Sequence, residues 1–266
     1  MKLALIFDFD ETLVNESTSD FLNQQGIDVE KFWTETVQYL IQQDWDPVPA
    51  YMFRMIESTI DKPITKDQLI EFGRHQIQYK KGVKTFISQI HKYVTERYKG
   101  TEIDLYIISS GIGEIIRNSE IAKYFKDIWA SDFAYDQDGN IAFPKKVLSF
   151  TDKTRYLFQI SKGMIGENFR KKPYVVNEKY NEESYIIPFK NMIYIGDGLT
   201  DVPCFSMIKK QGGTAIAVYD PNNPNAFRNA WRFVKDQRVS NLLSANYTNG
   251  SDLYNTIIMA IDNICS

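Results

Sequence analysis

Residues that commonly carry redox or transition-metal chemistry are scarce in this 266-residue chain, which has two cysteines, Cys204 and Cys265, and two histidines, His75 and His91. The cysteines lie far apart and neither has a partner at metal-binding or redox spacing, so no zinc motif or dithiol centre is encoded. A reducing cytoplasm is the compartment this pattern predicts. The histidines fall on helix-like stretches without ligand spacing, which predicts structural roles for both.

Charge of one sign is also missing. With 31 basic and 34 acidic residues intermixed and a formal net charge of -3, there is no broad cationic field for nucleic acid or an anionic membrane. A phosphate-binding pocket would have to make its own local positive charge. No apolar run approaches the roughly 18 residues of a membrane span. Lys2 followed by Leu3 to Phe7 has the look of a leader, but Asp8 ends that run early. The expectation is a soluble cytoplasmic protein, with neither nucleic acid nor membrane as a partner.

What is present is the makings of a core. Hydrophobic residues reach 43% and aromatic residues 14%, without low-complexity tracts or internal repeats. Short apolar runs predict doubly buried strands at Leu3–Phe7, Ile103–Ile108, Asp127–Ala130, Met192–Ile195 and Thr214–Val218. Between them, Gly82–Arg97 and Asp152–Lys162 carry apolar residues at helical spacing. This alternation predicts an α/β protein with a Rossmann-like parallel sheet. Residues 15–81 differ, with helical periodicity over Val29–Gln42, Ala50–Thr59 and Lys66–Gln78 and no strand. They are expected to form an inserted helical cap, leaving 1–14 and 82–266 as the catalytic core. Asp138-Gly139 predicts a hairpin turn between Phe133–Tyr135 and Ile141–Phe143, and Tyr174–Phe189 is read as a further strand-like excursion.

The chemistry concentrates where strands end. Leu5-Ile6-Phe7-Asp8-Phe9-Asp10-Glu11-Thr12 runs from a buried strand into two carboxylates, at the sheet edge where ligands of open α/β folds bind. Alone, such a pair equally suits loop or helix capping. A second acid pair follows another strand in Ile195-Gly196-Asp197-Gly198-Leu199-Thr200-Asp201, and Ser109-Ser110-Gly111 ends a third with hydroxyls and open backbone amides. Converging carboxylates would repel by roughly 4 kcal/mol per close pair at an effective dielectric of 20. A hard divalent cation relieves that repulsion, and Mg2+ is the usual choice beside a phosphate.

Together, Asp8-x-Asp10-x-Thr12, the strand-end Ser109, a lysine beginning a helix, and Gly196-Asp197 through Asp201 resemble the ordered signature of the haloacid dehalogenase superfamily. The resemblance covers the whole chain except the cap and is strongest to the phosphoserine phosphatase branch with its type-one cap. It implies a phosphatase in which Asp8 is the nucleophile and Asp10 the general acid and base. Mg2+ would be held by Asp8, the Asp10 carbonyl and Asp197, with Asp201 acting directly or through water. Thr12, Ser109 and Ser110 would bind phosphate. Lys153, at the start of its helix, matches the family lysine better than the tandem Lys145 and Lys146. In the cap, Glu16 is a candidate for a substrate amine and Arg54 for a substrate carboxylate. The aromatic residues around Phe32, Trp33, Tyr39, Trp45, Tyr51 and Phe53 are read as cap core, with some available to the entrance.

The substrate expected is a small phosphorylated metabolite. A phosphotransferase or mutase would use the same acids and differ only in the acceptor. A dehalogenase has no need of Asp10. A receiver-like signalling domain carries its acceptor on a later strand and lacks a large cap, and a non-catalytic binding protein needs no paired nucleophile and acid.

Overall fold

The computed structural model describes residues 1–266, the side chain of Glu182 excepted. In chain order, β1 (Lys2–Phe7) leads into a run of helices: α1 (Ser17–Gln24), α2 (Val29–Lys31), a π-helical stretch (Phe32–Val37), α3 (Gln38–Gln42), α4 (Pro47–Glu57) and α5 (Lys66–His75). Then come α6 (Val83–Arg97), β2 (Glu102–Ile112), α7 (Gly113–Arg117), β3 (Asp127–Tyr135), β4 (Ile141–Lys146), α8 (Asp152–Lys162) and α9 (Glu167–Arg170). The chain closes with β5 (Met192–Gly196), α10 (Val202–Lys210), β6 (Thr214–Tyr219), α11 (Ala226–Lys235), β7 (Asn241–Ser244) and α12 (Asp252–Cys265). The strands form one sheet in the order β4-β3-β2-β1-β5-β6-β7, parallel except for the antiparallel β3–β4 hairpin.

The uninterrupted apolar runs follow from burial on both faces. Leu3, Leu5 and Phe7 enter one core with Ile90 and Val94 of α6 and Ile257 and Ile261 of α12. Ala4 and Ile6 enter the other with Leu157 and Ile160 of α8 and Phe205 of α10. Neighbouring strands alternate in the same way, so the apolar positions of the central strands meet apolar surface on both faces of the sheet.

The inserted helices bury their own cluster, including Phe21, Leu40, Met52, Met55 and Phe72, and set it against Ile112, Ile115, Phe133 and Ile141. A capping box of Thr65 with Gln68 starts α5. Pro47 occupies the first turn of α4, where a missing N–H is tolerated, so that helix begins before the predicted Ala50.

Three further differences have local causes. The segment Tyr174–Phe189 forms short 3-10 turns, not the expected strand. Its polar run from Asn177 to Glu183 offers no apolar face, and Lys162 Nζ takes the carbonyls of Val176 and Glu178 at 2.7 and 2.6 Å. The edge strand β7 is too short, and only partly buried, to show as an apolar run. β2 continues to Ile112, but its pairing with β3 jumps from Ile108↔Trp129 to Ile112↔Ser131. That bulge lifts Ser109, Ser110 and Gly111 out of the ladder at the sheet edge.

Candidate active site

β1 lies between β2 and β5 with Phe7 opposite both Ile107 and Ile195, so its ladders with both neighbours stop at the same level. Asp8 continues the ladder by one bond, its N–H donating to the Ile195 carbonyl at 2.9 Å, and its Oδ1 accepts from the Phe9 amide at 2.8 Å. The chain then turns through Glu11, whose φ of 53° lies in the left-handed region that non-glycine residues rarely adopt. The chain beyond this turn comes back to Asp10, whose Oδ1 accepts from the Ser17 amide at 2.8 Å. Gly111 permits the approach from the other side. A Cβ built there would overlap Asp10 Oδ2 and stand 3.2 Å from Ser109 Oγ. Ser109 Oγ itself accepts from the Gly111 amide at 3.0 Å.

Beneath this surface, Lys153 is fully buried near the start of α8. Its ammonium lies 3.1 Å from Asp8 Oδ2 and 2.7 Å from Asp201 Oδ1, and donates to Thr200 Oγ1 at 3.1 Å. Asp201 also accepts from the Tyr194 hydroxyl at 2.7 Å and from the Gly198 amide at 3.1 Å, so both its oxygens are engaged. Of the three candidate lysines, only Lys153 meets the acids; Lys145 and Lys146 line a separate cavity.

Burial, followed by repulsion from Asp201, pushes the Asp8 carboxyl up to about 7, although Lys153 opposes the rise. Asp10 is also pushed up to about 7, by burial and then by Glu16, against hydrogen bonds from Ser17. Asp197 is raised well above the usual carboxylate range by burial and then by Asp8 and Asp201. Oxygen atoms of Asp8, Asp197 and Asp201 lie within 4.8 Å of one another. When ionised, these three carboxylates face the single charge of Lys153, and the excess of two negative charges suits a hard divalent cation with oxygen ligands.

Asp8, Asp10, Ser109, Ser110 and Asp197 open onto a cavity of about 220 Å³. The insertion contributes Trp33 and Tyr51 to its wall, joined by Glu16 and Thr18. The Tyr51 hydroxyl donates to the Ser110 carbonyl at 2.7 Å, and Trp33 Nε1 donates to Ser19 Oγ at 2.8 Å. Glu16 both faces the cavity and caps α1 by accepting from the Ser19 amide at 2.6 Å. Arg54 is not among the lining residues. It donates to the Thr36 carbonyl at 3.1 Å and pairs with Glu57. Thr12 is fully buried below the loop, its carbonyl bound by the Tyr247 hydroxyl at 3.2 Å and its Oγ1 unpartnered among the described residues.

Sequence reasoning missed Lys80, whose buried ammonium joins Glu11 at 3.0 Å and Asp220 at 2.7 Å, tying the loop after β1 to the end of β6. It also assigned no role to Thr200 or Tyr194, which position Lys153 and Asp201. The contacts of Lys80 and Lys153 join residues far apart in sequence, and that of Tyr194 with Asp201 depends on how the chain turns after β5.

A family model described as "Putative Phosphatase" matches residues 3–218. An uncharacterized protein of Borreliella burgdorferi is 30% identical, over 97% of this chain and 96% of its own length. Among solved structures, a haloacid dehalogenase family hydrolase from Salmonella enterica serovar Typhi has a TM-score of 0.61 at 17% identity, covering 98% of this chain and 71% of its own. A phosphoserine phosphatase holding a phospho-aspartyl intermediate analogue has a TM-score of 0.56 at 16% identity, covering 97% and 98%. At these identities the two structures speak for the fold.

Proposed function

The chain belongs to the phosphatase family whose model matches residues 3–218, and from that premise we propose a haloacid dehalogenase-type, Mg2+-dependent hydrolysis through an aspartyl-phosphate on Asp8. The observation that carries this reading is Asp8 at the end of β1, held by buried Lys153 and sharing a cavity with Asp10, whose carboxyl is pushed up to about 7.

An Asp8 carboxylate oxygen attacks phosphorus in line, forming the acyl phosphate as the ester P–O bond breaks. Asp10, protonated near neutrality, gives its proton to the departing oxygen. The resulting carboxylate then takes a proton from the water that attacks phosphorus and frees Asp8. Ser109 and the amides about Ser110 and Gly111 would receive the phosphate oxygens, and Lys153 would offset charge as Asp8 changes from carboxylate to acyl phosphate. Asp8 and Asp197 would hold the magnesium with the Asp10 carbonyl. Asp201, with both oxygens already bound, serves Lys153 and would act on the ion directly or through water. Bound there, the ion would supply positive charge that lets an anionic nucleophile meet an anionic ester.

The substrate is a small phosphorylated metabolite. Glu16, Trp33 and Tyr51 face its leaving group, and among the described residues no lysine or arginine lines this cavity. An amine or a neutral alcohol fits that wall better than a carboxylate. The proposed catalytic cap is residues 15–81, set over the core of 1–14 and 82–266.

The test is phosphate release from p-nitrophenyl phosphate, with and without Mg2+, by the native chain and by Asp8→Asn. Metal-dependent turnover lost in Asp8→Asn is expected. Turnover that persists in the variant overturns the nucleophile, and absence of metal-dependent turnover across a panel of phosphate esters overturns the reaction. Within the panel, amino-alkyl phosphates should be hydrolysed faster than carboxylate-bearing ones, with Glu16→Gln narrowing the difference.

A further inference from the structure

A cavity larger than the one that holds Asp8 lies elsewhere in the molecule. About 920 Å³ in volume, it lies among α7, β3, β4, α8 and α9 and shares no lining residue with the catalytic pocket. Its volume falls within the range of small-molecule sites, roughly 300–1,000 Å³.

Its walls carry six cations against two acids, in a chain whose net charge is -3. Some of that charge is balanced. Arg117 pairs with Asp132, Arg170 with Asp127, and Lys66 lies 3.9 Å from Glu114. Lys145, Lys146 and Arg155 have no carboxylate partner among the described residues. Arg155 Nε and the Tyr135 hydroxyl are buried without a hydrogen-bond partner among those residues. Lys146 is pushed down to about 8, first by burial and further by Arg117, Arg155 and Arg170, although Asp132 opposes the fall. Crowding cations and orphaned donors in this way is unfavourable unless an anion completes the set. The wall is also aromatic. Lys146 and Arg155 sit 5.3 and 4.7 Å from the centre of the Tyr156 ring, Lys66 lies 5.6 Å from that of Tyr135, and Phe169 closes one side.

We propose that this cavity binds a multiply charged phosphate carried on a planar organic body of nucleotide size, at a site separate from the catalytic pocket. The tandem lysines Lys145 and Lys146, which the catalytic arrangement does not use, serve that anion, with Arg155 Nε as the buried donor.

The experiment is calorimetric titration of the full-length chain with ADP in EDTA, with pyrophosphate as the second probe. Without divalent cations, the carboxylates of the catalytic pocket repel both probes, so binding reports the basic cavity. ADP should bind more tightly than pyrophosphate, and Lys146→Met and Arg155→Gln should each weaken ADP by on the order of tenfold or more, the loss of one charge-assisted hydrogen bond. Lys146→Met removes a crowded, half-buried charge, so it should fold at least as stably as the native chain, and thermal unfolding checks this. Asp197→Asn should leave ADP binding intact. Absence of ADP binding at millimolar concentration, or binding that survives both cavity substitutions, overturns the site. Pyrophosphate binding as tightly as ADP overturns the planar organic ligand. Because binding is read directly, the outcome does not depend on the hydrolytic reaction.

Discussion

Asp8 and Asp201 share one buried ammonium, that of Lys153, which lies 3.1 Å from the first and 2.7 Å from the second. The lysine has no solvent to fall back on, and each acid owes part of its tolerance of burial to it. The arrangement is therefore both a stabilising element of the fold and a charge reserve beside the proposed nucleophile.

Lys153→Met should leave those two acids without their cation. Breaking a buried pair from one side costs about 3–5 kcal/mol, because the remaining charge stays desolvated. The melting temperature of the metal-free protein should fall, and p-nitrophenyl phosphate turnover should fall by a factor of about 10² or more. Lys153→Arg should not restore turnover, since the wider guanidinium must displace Thr200 or Tyr194. Native-like turnover in Lys153→Met would exclude this lysine from the chemistry.

The doubly buried strands were legible because both faces of the sheet are covered, which erases the alternation a half-exposed strand would show. Asp8, Asp10 and Asp197 could be picked out as an acid set because each sits at a strand end. The bulge at Ser109–Gly111 could not be read, since it is a pairing irregularity with β3 and leaves no mark in local composition. The aromatic residues of the insertion were legible as core, but which of them face the cavity depends on helix docking, and it is Trp33 and Tyr51 that do. Arg54 shows the same limit from the other side. Its charge is visible in sequence, while its engagement by Thr36 and Glu57 is not.

Divalent cation should raise the stability of this protein more at pH 7.5 than at pH 5. Asp8 has a folded pKa of about 7, above its unfolded value, so in the metal-free state it keeps its proton and causes no penalty at low pH. As pH rises from about 4 through 7, the unfolded chain gives up this proton more readily, and folding stability declines. Asp197, also raised, acts in the same direction. Mg2+ binds the deprotonated forms and offsets the decline. Thermal unfolding at both pH values, with EDTA and with millimolar Mg2+, checks the sign. A shift larger at pH 5 would place the ion elsewhere.

Asp10→Asn should depend on the leaving group. An alkyl alcohol needs a proton as it departs, so alkyl phosphates should lose about 10²–10⁴ in rate, whereas p-nitrophenolate leaves readily and phosphoenzyme formation from its ester should suffer much less. Rapid-mixing kinetics on both esters separate the steps. Equal losses in the formation step would argue against proton donation by Asp10.

Gly111→Ala tests the same residue without touching its carboxyl. The added Cβ overlaps Asp10 Oδ2, whose partner Ser17 fixes it from the other side, so the acid must shift. A displacement of about 1 Å can lower turnover on the order of 10²-fold. Stability should change little, because the new methyl faces the cavity edge. Full turnover with alkyl phosphates would show that the placement of Asp10 is not critical.

Lys80 offers a way to disturb the loop after β1 from outside the cavity that holds Asp8. Its ammonium holds Glu11, the left-handed residue next to Asp10, and anchors it to Asp220 after β6. Burial alone would raise Asp220, but the bond from Lys80 and the Asn222 amide hold it below the usual carboxylate range. A depressed carboxylate adds stability above its unfolded pKa near 4 and loses it as pH falls through the lower folded value, so this contribution vanishes in acid. Lys80→Met should therefore cost about 1–3 kcal/mol at pH 7, the worth of hydrogen bonds between charged groups, and much less below pH 3. The freed Glu11 can relax out of its left-handed conformation, which swings Asp10 away from the cavity. Turnover at saturating substrate should drop while the Michaelis constant changes little, because Lys80 does not line the pocket. Denaturant titrations at the two pH values and steady-state kinetics decide the matter. A loss of stability that is the same at both would mean that Lys80 acts through packing and not through its two carboxylates.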